Sequence, residues 1–277
     1  MRHVTLPDGE EVPALGQGTW YMGERRDRRA AEVAALRRGV DLGMTLIDTA
    51  EMYAEGGAEE VVGEAVAACR DTVFLVSKVY PYNASRRGVQ EACARSLKRL
   101  QTERIDLYLL HWPGSIPLEE TVSGFETLIE KGMIARWGVS NFDADAMRSL
   151  LHVAGGEACA TDQVLYNVGR RGIEFDLLPF LRERTMPLMA YSPIEQGRLP
   201  PGDVLDEIGR RHGCDRFAVA LAWLLRHPDV IAIPKAVRRE HVEANRRAAD
   251  LTLEPADLEA IDRAFPPPAR KQPLAML

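Results

Sequence analysis

At residues 105–111 the chain reads Ile105-Asp106-Leu107-Tyr108-Leu109-Leu110-His111, a short apolar run that ends in a polar side chain. Two earlier runs have the same form, since residues 45–48 end in Asp48 and residues 73–78 end in Lys78. Short runs of this kind, rich in β-branched and aromatic residues, are typical of β-strands. If the three strands are parallel neighbours, their polar ends meet at one rim of the sheet.

Segments of helical period separate these runs, and the alternation continues along the chain. Such an alternation is the signature of repeated βα units and a parallel sheet. We predict strands at residues 14–16, 45–48, 73–77, 105–110, 134–139, 160–164, 187–191 and 230–233. We predict helices at about 29–42, 58–69, 86–100, 118–131, 143–151, 174–184, 203–227 with a break near Gly213, 238–249 and 256–264. Eight such units predict a closed (β/α)8 TIM barrel, with an open doubly wound sheet as the alternative.

The length of the chain fits one barrel and no second domain. A (β/α)8 barrel typically needs about 250 residues, and the chain has 277. An N-terminal β-hairpin is predicted to turn at Pro7-Asp8-Gly9. Because no low-complexity linker or break in composition divides the sequence, residues 1–277 are expected to form a single domain.

Composition argues against several classes of partner. The net charge is -6, so no global basic field attracts nucleic acid. No stretch approaches the roughly 18 uninterrupted apolar residues of a membrane span, and the N-terminus lacks the apolar core of a signal peptide. The four cysteines are scattered and form no C-x-x-C motif. We therefore expect a cytoplasmic protein with reduced thiols.

The polar residues at the strand ends form one candidate site. Asp48, Lys78 and His111 end strands two, three and four, and Tyr53 lies five residues beyond Asp48 in a short loop. In such barrels the chemistry takes place at the C-terminal ends of the strands, where the βα loops converge. The four side chains are therefore expected to meet at that end.

Each of the four residue types has a distinct role in proton transfer. A free tyrosine titrates near ~10, and a neighbouring ammonium such as Lys78 is expected to lower its pKa. The carboxylate of Asp48 would keep that lysine charged in a partly buried site. A nitrogen of His111 could donate a hydrogen bond to a substrate oxygen and orient a carbonyl group. Together they suit carbonyl reduction, in which the oxygen must gain a proton when the carbon receives hydride.

Five stretches carry a resemblance to the aldo-keto reductases along essentially the whole chain. They are Leu46-Ile47-Asp48-Thr49-Ala50-Glu51-Met52-Tyr53, Leu110-His111-Trp112-Pro113, Gly138-Val139-Ser140-Asn141-Phe142, Ala190-Tyr191-Ser192-Pro193 and Ile233-Pro234-Lys235. The chain most resembles the compact bacterial members that reduce methylglyoxal and other small aldehydes. This resemblance implies a (β/α)8 barrel, NADPH as cofactor, the four roles given above and a monomeric state.

The hydride must come from a cofactor, because no side chain supplies hydride. The stretch Gly16-Gln17-Gly18-Thr19-Trp20-Tyr21 lacks the third glycine of a dinucleotide-binding fingerprint and is interpreted as a tight strand-to-loop turn. The resemblance implies a nicotinamide site that combines amide-complementary polar groups with a stacking tyrosine. The implied cofactor-binding residues are Thr19, Ser140, Asn141, Gln163, Tyr191, Ser192, Lys235, Arg238, His241 and Asn245.

The loop after strand eight is basic and opens a helix, which is where barrels commonly bind phosphate. Lys235 and Arg238 could meet a 2′-phosphate, which favours NADPH over NADH. The chain departs from the family pattern here, because Ala236 stands where many relatives carry serine and His241 where many carry arginine.

The substrate side of the site is predicted to be small and apolar. Trp20, Met52 and Trp112 would form its wall beside His111, with Tyr21 and Tyr80 as further candidates, and such walls suit compact aldehydes and ketones. Only a short tail follows Phe265, so the pocket is expected to be open.

Two other functions stay in view. A metal-dependent barrel hydrolase could use Asp48 and His111 as ligands, but the chain lacks a His-x-His after strand one. A non-catalytic or regulatory NADPH-binding protein would share the fold and the cofactor site.

Overall fold

A computed structural model describes residues 1–200 and 202–277. Its strands are β1 (His3–Thr5), β2 (Glu11–Pro13), β3 (Gln17–Gly18), β4 (Leu46–Asp48), β5 (Phe74–Val79), β6 (Ile105–Leu110), β7 (Ile134–Ser140), β8 (Asp162–Leu165), β9 (Leu188–Tyr191) and β10 (Val230–Ala232). Its helices are α1 (Arg29–Asp41), α2 (Gly57–Val66), α3 (Arg86–Leu100), α4 (Leu118–Glu130), α5 (Ala144–Leu151), α6 (Leu177–Arg182), α7 (Val204–His212), α8 (Arg216–Leu225), α9 (Arg239–Ala248) and α10 (Pro255–Ala264).

Strands β3 to β10 form one parallel sheet in which each strand pairs with the next along the chain. The first and last strands are joined by backbone hydrogen bonds. The amide of Ala232 donates to the carbonyl of Ala14 at 2.8 Å, and the amide of Gly16 donates to the carbonyl of Ala232 at 2.9 Å. The amide of Gly18 adds a third bond, to Pro234 at 3.1 Å. The predicted (β/α)8 barrel is therefore confirmed, and the open-sheet alternative is wrong.

The first barrel strand differs from its prediction. Residues 14–16 bond to Arg2 and to β10, and the ladder with β4 is made by Gln17 and Gly18, opposite Ile47 and Asp48. The apolar pair Ala14-Leu15 gave the local signal, whereas a glutamine and a glycine have low strand propensity. Gln17 is accommodated because its buried amide donates to the carbonyl of Met44 at 2.9 Å. The strand-to-loop turn predicted within residues 16–21 is confirmed, but it follows Gln17 and Gly18, since the amide of Met22 donates to the carbonyl of Thr19 at 2.9 Å.

The helices largely follow the predicted pattern. Helix α5 begins as predicted, since the Asp143 carboxylate accepts the amide of Ala146 at 2.8 Å. The predicted break in residues 203–227 is also confirmed, because Gly213 ends α7 in the left-handed conformation. Helices α2 and α6 are shorter than predicted, and 3₁₀ turns flank them at Arg70–Thr72 and Gly172–Glu174.

The predicted N-terminal hairpin is confirmed and covers one end of the barrel. Strands β1 and β2 pair antiparallel, and the side chains of Val4, Leu6 and Val12 pack into a cluster with buried residues of the barrel strands. Arg136 near the start of β7 donates to Asp8 in the hairpin turn at 2.8 Å. The hairpin therefore lies across the end where the strands begin, which leaves the C-terminal end for a site.

Candidate active site

The four predicted catalytic side chains lie together at the C-terminal end of the barrel. The Lys78 ammonium donates to both carboxylate oxygens of Asp48, at 2.8 and 2.7 Å, and to the carbonyl of Thr49 at 2.9 Å. It also lies 3.3 Å from the Tyr53 hydroxyl. The ring of His111 meets the Tyr53 ring edge to face at 5.7 Å. A buried ion pair thus touches a phenol beside an imidazole.

The order and register of the strands explain why these four side chains lie together. Asp48 is the last residue of β4, Lys78 lies at the C-terminal end of β5 and His111 directly follows β6. These three strands are consecutive neighbours in the sheet. Tyr53 reaches back over them because it begins a 3₁₀ turn, Tyr53–Gly56, that leads into α2.

Burial controls the proton affinities of the site. Removal from water, and then the charge of Asp48, hold the pKa of Tyr53 well above its ordinary value. Burial lowers the pKa of Lys78, although the neighbouring Asp48 opposes this shift. Burial, and secondarily the charge of Lys78, keep the pKa of His111 well below its usual range. The imidazole is therefore neutral near pH 7, and Tyr53 carries its proton.

The predicted lowering of the Tyr53 pKa by Lys78 is therefore wrong for this structure. Both oxygens of Asp48 contact the ammonium, so the pair as a whole presents little net charge to the phenol. Loss of hydration then dominates and favours the neutral hydroxyl. Lys78 can still stabilise a phenolate once the proton has left, because it lies within hydrogen-bond distance of the oxygen.

A second set of polar groups connects the ion pair to the predicted cofactor side. The Gln163 amide donates to Asp48 Oδ1 at 2.7 Å, and the Ser140 hydroxyl donates to the carbonyl of Gln163 at 2.7 Å. The contact between Gln163 and Asp48 was not predicted, because the two residues are far apart in the chain. The Gln163 amide thus gives Asp48 Oδ1 a second donor besides the ammonium of Lys78.

Asn141 links the rest of this set. Its amide donates to the carbonyl of His111 and to the Ser140 hydroxyl, both at 3.1 Å, and its Oδ1 accepts the Tyr191 hydroxyl at 2.9 Å. The backbone of Asn141 is left-handed, with φ of 61°. Asparagine tolerates this conformation better than most residues.

These side chains line one cleft of about 470 Å³. Seven of the predicted cofactor residues lie on it: Thr19, Ser140, Asn141, Gln163, Tyr191, Ser192 and Lys235. The predicted substrate residues also line it: Trp20, Met52, His111 and Trp112. Tyr21 is a lining residue, whereas Tyr80 lies behind the wall and packs edge to face on Trp112 at 5.1 Å.

Three predicted cofactor residues lie outside the cleft. Arg238 precedes α9, and His241 and Asn245 lie on that helix. The guanidinium of Arg238 is 2.8 Å from Nε2 of His241, and the Arg238 side chain is 69% exposed. Arg238 therefore places a positive charge outside the cleft, beside His241.

Two segments of the wall were missed from the sequence. The loop after β9 contributes Ile194, Gln196 and Gly197, and the tail contributes Met276 and Leu277. The short tail after Phe265 therefore reaches the cleft and forms part of its wall, while the expectation of an open pocket stays a prediction. The apolar residues that follow the proline-rich stretch were the available signal, since a solvated tail has no need of them.

Neither a metal site nor a membrane span is found in the described part of the chain. Among residues 1–200 and 202–277, no group of three or more His, Cys, Asp and Glu side chains could hold a metal ion. The hydrolase hypothesis therefore has no metal site in this part of the chain. Within the same ranges, no helix has both the length and the apolar character needed to cross a bilayer.

Comparison with known proteins agrees with this geometry. The model of the aldo/keto reductase family matches residues 14–265. The chain is 53% identical over 271 residues to methylglyoxal reductase YeaE of Escherichia coli, covering 96% of this chain and 95% of that protein. It is 31% identical to glyoxal reductase of Bacillus subtilis, covering 94% of this chain and 91% of that protein.

Solved structures give the same result. An aldo/keto reductase from Klebsiella pneumoniae, crystallised with NADP and acetate, superposes with a TM-score of 0.97 at 51% identity, covering 100% of this chain and 99% of that one. An aldo-keto reductase named Tm1743, crystallised with the inhibitor epalrestat, superposes with a TM-score of 0.90 at 39% identity, covering 95% and 99%. The chain belongs to the aldo/keto reductase family.

Proposed function

We propose that the protein reduces small aldehydes and ketones with NADPH, and that dicarbonyls of the methylglyoxal type are among its substrates. The observation that carries the proposal is the Tyr53 hydroxyl at 3.3 Å from an ammonium that is itself paired with Asp48. Family membership and the similarity to methylglyoxal reductase support the reaction and the substrate class.

Tyr53 is proposed as the proton donor. When bound, NADPH supplies hydride to the carbonyl carbon. Tyr53 gives its proton to the carbonyl oxygen, and the raised pKa means that the phenol carries this proton throughout the neutral range. Lys78 stabilises the phenolate that remains, and Asp48 keeps the ammonium in place. Solvent then returns the proton to Tyr53.

His111 and the aromatic wall are proposed to hold the substrate. A neutral imidazole can donate one hydrogen bond to the carbonyl oxygen without adding charge. Packing fixes its ring, which contacts Tyr53 at 5.7 Å and Trp112 at 4.9 Å. Trp20 and Met52 complete an apolar wall that suits a compact substrate.

The residues along the cleft suit the cofactor. Ser140, Asn141 and Gln163 offer hydroxyl and amide groups that match a nicotinamide carboxamide, and the Tyr191 ring offers a stacking face. Thr19 and Ser192 lie on the same side.

The basic end of the cleft suits a phosphate. Lys235 lines the cleft, and Arg238 extends the positive surface beyond it towards a 2′-phosphate, with His241 beside Arg238 and Asn245 further along the helix for the adenine. These cations favour NADPH, and NADH is the less favoured alternative. The similar Klebsiella enzyme was crystallised with NADPH.

We also propose that residues 1–277 act as a single-domain monomer in the bacterial cytoplasm, without nucleic-acid or membrane partners. The four free cysteines suit a reducing compartment, and the net charge of -6 disfavours nucleic acid. The bacterial origin of the similar reductases supports the cell type.

The test compares the parent protein with Tyr53→Phe in NADPH oxidation by methylglyoxal. We expect turnover to fall by about 10²–10⁴, while NADPH binding, followed by nicotinamide fluorescence, is unchanged. Tyr108→Phe is the matched control. This buried tyrosine packs against Phe125 of α4 on the helix side of the barrel, so removal of its hydroxyl should leave turnover unchanged. If Tyr53→Phe binds NADPH and turns over methylglyoxal at the parental rate, Tyr53 is not the proton donor. If the parent itself shows no turnover, a binding role is favoured.

A further inference from the structure

Two consecutive residues at the mouth of the cleft stack on each other. The rings of Trp20 and Tyr21 are nearly parallel, with centroids 4.8 Å apart and planes 11° apart. In an extended chain, consecutive side chains point to opposite sides. The backbone must therefore turn sharply here to place both rings on the same side.

That turn uses a conformation that tyrosine rarely adopts. The amide of Met22 donates to the carbonyl of Thr19 at 2.9 Å, so Trp20 and Tyr21 are the central residues of a β-turn. Tyr21 has φ of 65°. Type II turns require a positive φ at this third position and normally place glycine or asparagine there. A bulky residue in this conformation is strained and persists only when its surroundings hold it.

The surroundings hold both ends of the turn. The Thr19 hydroxyl donates to the carbonyl of Asp48 at 2.9 Å, and Met22 is fully buried. The next residue, Gly23, donates its amide to the buried carboxylate of Glu32 at 3.0 Å. No hydrogen bond of the Tyr21 hydroxyl contributes among the described residues, and the side chain is 50% exposed. Strain at Tyr21 is therefore not offset by burial of the tyrosine itself.

The arrangement brings Trp20 against two other rings. Besides stacking on Tyr21, Trp20 stacks on the Tyr53 ring, with centroids 6.4 Å apart and planes 25° apart. All three residues line the cleft. The strained turn thus joins Tyr21 and Trp20 to a cluster of stacked rings that includes the proposed proton donor.

We propose that Tyr21 is a positioning residue that holds Trp20 against Tyr53 and so sets the width of the substrate site. The proposal rests on the proposed function, because Trp20 forms a wall of that site. Tyr21 acts through Trp20, and the reacting groups Tyr53, Lys78 and Asp48 are untouched by its removal. Its loss should therefore weaken substrate binding more than it slows the chemical step.

The test uses Tyr21→Asn and Tyr21→Phe. Asparagine accepts the left-handed conformation but supplies no ring, whereas phenylalanine keeps the ring and loses only the hydroxyl. An aromatic contact of this kind corresponds to about a two- to tenfold change in binding. We expect Tyr21→Asn to raise the KM for methylglyoxal by about that factor and to change kcat less. Tyr21→Phe should keep the KM of the parent.

The melting temperature is a second readout. If Tyr21 mainly supported the fold, its replacement would lower the Tm, whereas our proposal predicts a rise. Relief of strain should raise the Tm of Tyr21→Asn by about 2 °C or more. Should that variant not fold, Tyr21→Gly takes its place, because glycine adopts the same φ freely. Failure of both to fold, or a lower Tm in both, would overturn the proposal.

A third readout needs no turnover. The fluorescence of Trp20 is isolated as the difference between each protein and the same protein carrying Trp20→Phe, and its quenching by acrylamide is measured. We expect stronger quenching in Tyr21→Asn than in the parent and in Tyr21→Phe. Equal quenching in all three, or an equal rise of KM in Tyr21→Phe and Tyr21→Asn, would overturn the proposal. A parent that turns over no carbonyl substrate would instead contradict the proposed function and leave the quenching result to decide the role of Tyr21.

Discussion

Replacing Lys78 with methionine should separate what the buried ion pair does for stability from what it does for chemistry. In the parent, the Asp48 carboxylate accepts two hydrogen bonds from Lys78 and one from Gln163. Lys78→Met removes the ammonium and leaves only the Gln163 amide beside a buried charge. Asp48→Asn has the converse effect, since it leaves a fully buried ammonium without its counter-charge.

The magnitude follows from the burial of both partners, whose side chains are 0% and 3% exposed. Removal of one member of such a pair typically costs about 3–5 kcal/mol in the free energy of unfolding. Removal of both leaves no uncompensated charge, so Lys78→Met combined with Asp48→Asn should cost less than the sum of the single changes. We expect a coupling energy of about 2–3 kcal/mol.

Urea unfolding of the parent, both single variants and the double variant measures this coupling, and NADPH oxidation with methylglyoxal is followed in parallel. Turnover should be lost in all three variants, including the double variant in which stability partly returns. Arg87→Met is the control, because its ion pair with Glu91 is exposed and should contribute little. Additive costs in the double variant, or near-parental turnover in Lys78→Met, would refute the reasoning.

Two further predictions concern pH and cofactor choice. Burial, followed by the charges of Arg226 and Arg182, lowers the pKa of His227 to about 4. The unfolded chain, with an ordinary histidine pKa near ~6.5, then binds a proton that the folded protein does not, so stability falls between about pH 6.5 and 4, by up to about 3 kcal/mol. Urea unfolding across this range should show a smaller loss in His227→Gln, and an equal loss would contradict the assignment. Lys235→Ala should weaken NADPH binding by about tenfold or more and NADH binding far less, as measured by fluorescence titration. Equal losses for both cofactors would remove Lys235 from the proposed phosphate site.

The barrel and the proposed catalytic residues were predictable because their signals are local. Each of Asp48, Lys78 and His111 directly follows or ends an apolar run, and consecutive runs become neighbouring strands. Helix boundaries were predictable where a cap residue marks them, as at Asp143 and Gly213.

The missed features depend on contacts between distant parts of the chain. The ladder of β3 falls on Gln17 and Gly18 because β4 and β10 fix the register from either side, which no local propensity records. The left-handed turns at Tyr21 and Gln196 could not be predicted from the sequence, because neither strained position is a glycine. The raised pKa of Tyr53 is set by the summed burial of the site, and its direction differs from what the neighbouring lysine alone predicts.

Closure of the barrel through Ala14 and Ala232 also has a consequence for synthesis of the protein. The N-terminal hairpin leaves the ribosome before β10, but part of the apolar surface on which it packs belongs to that strand, including Ile231. Until that last strand arrives, Val4, Leu6 and Val12 lack part of their packing partners, and a partly assembled sheet has open edges. Such edges and exposed apolar groups favour aggregation. The nascent chain is therefore most vulnerable just before its final strand emerges.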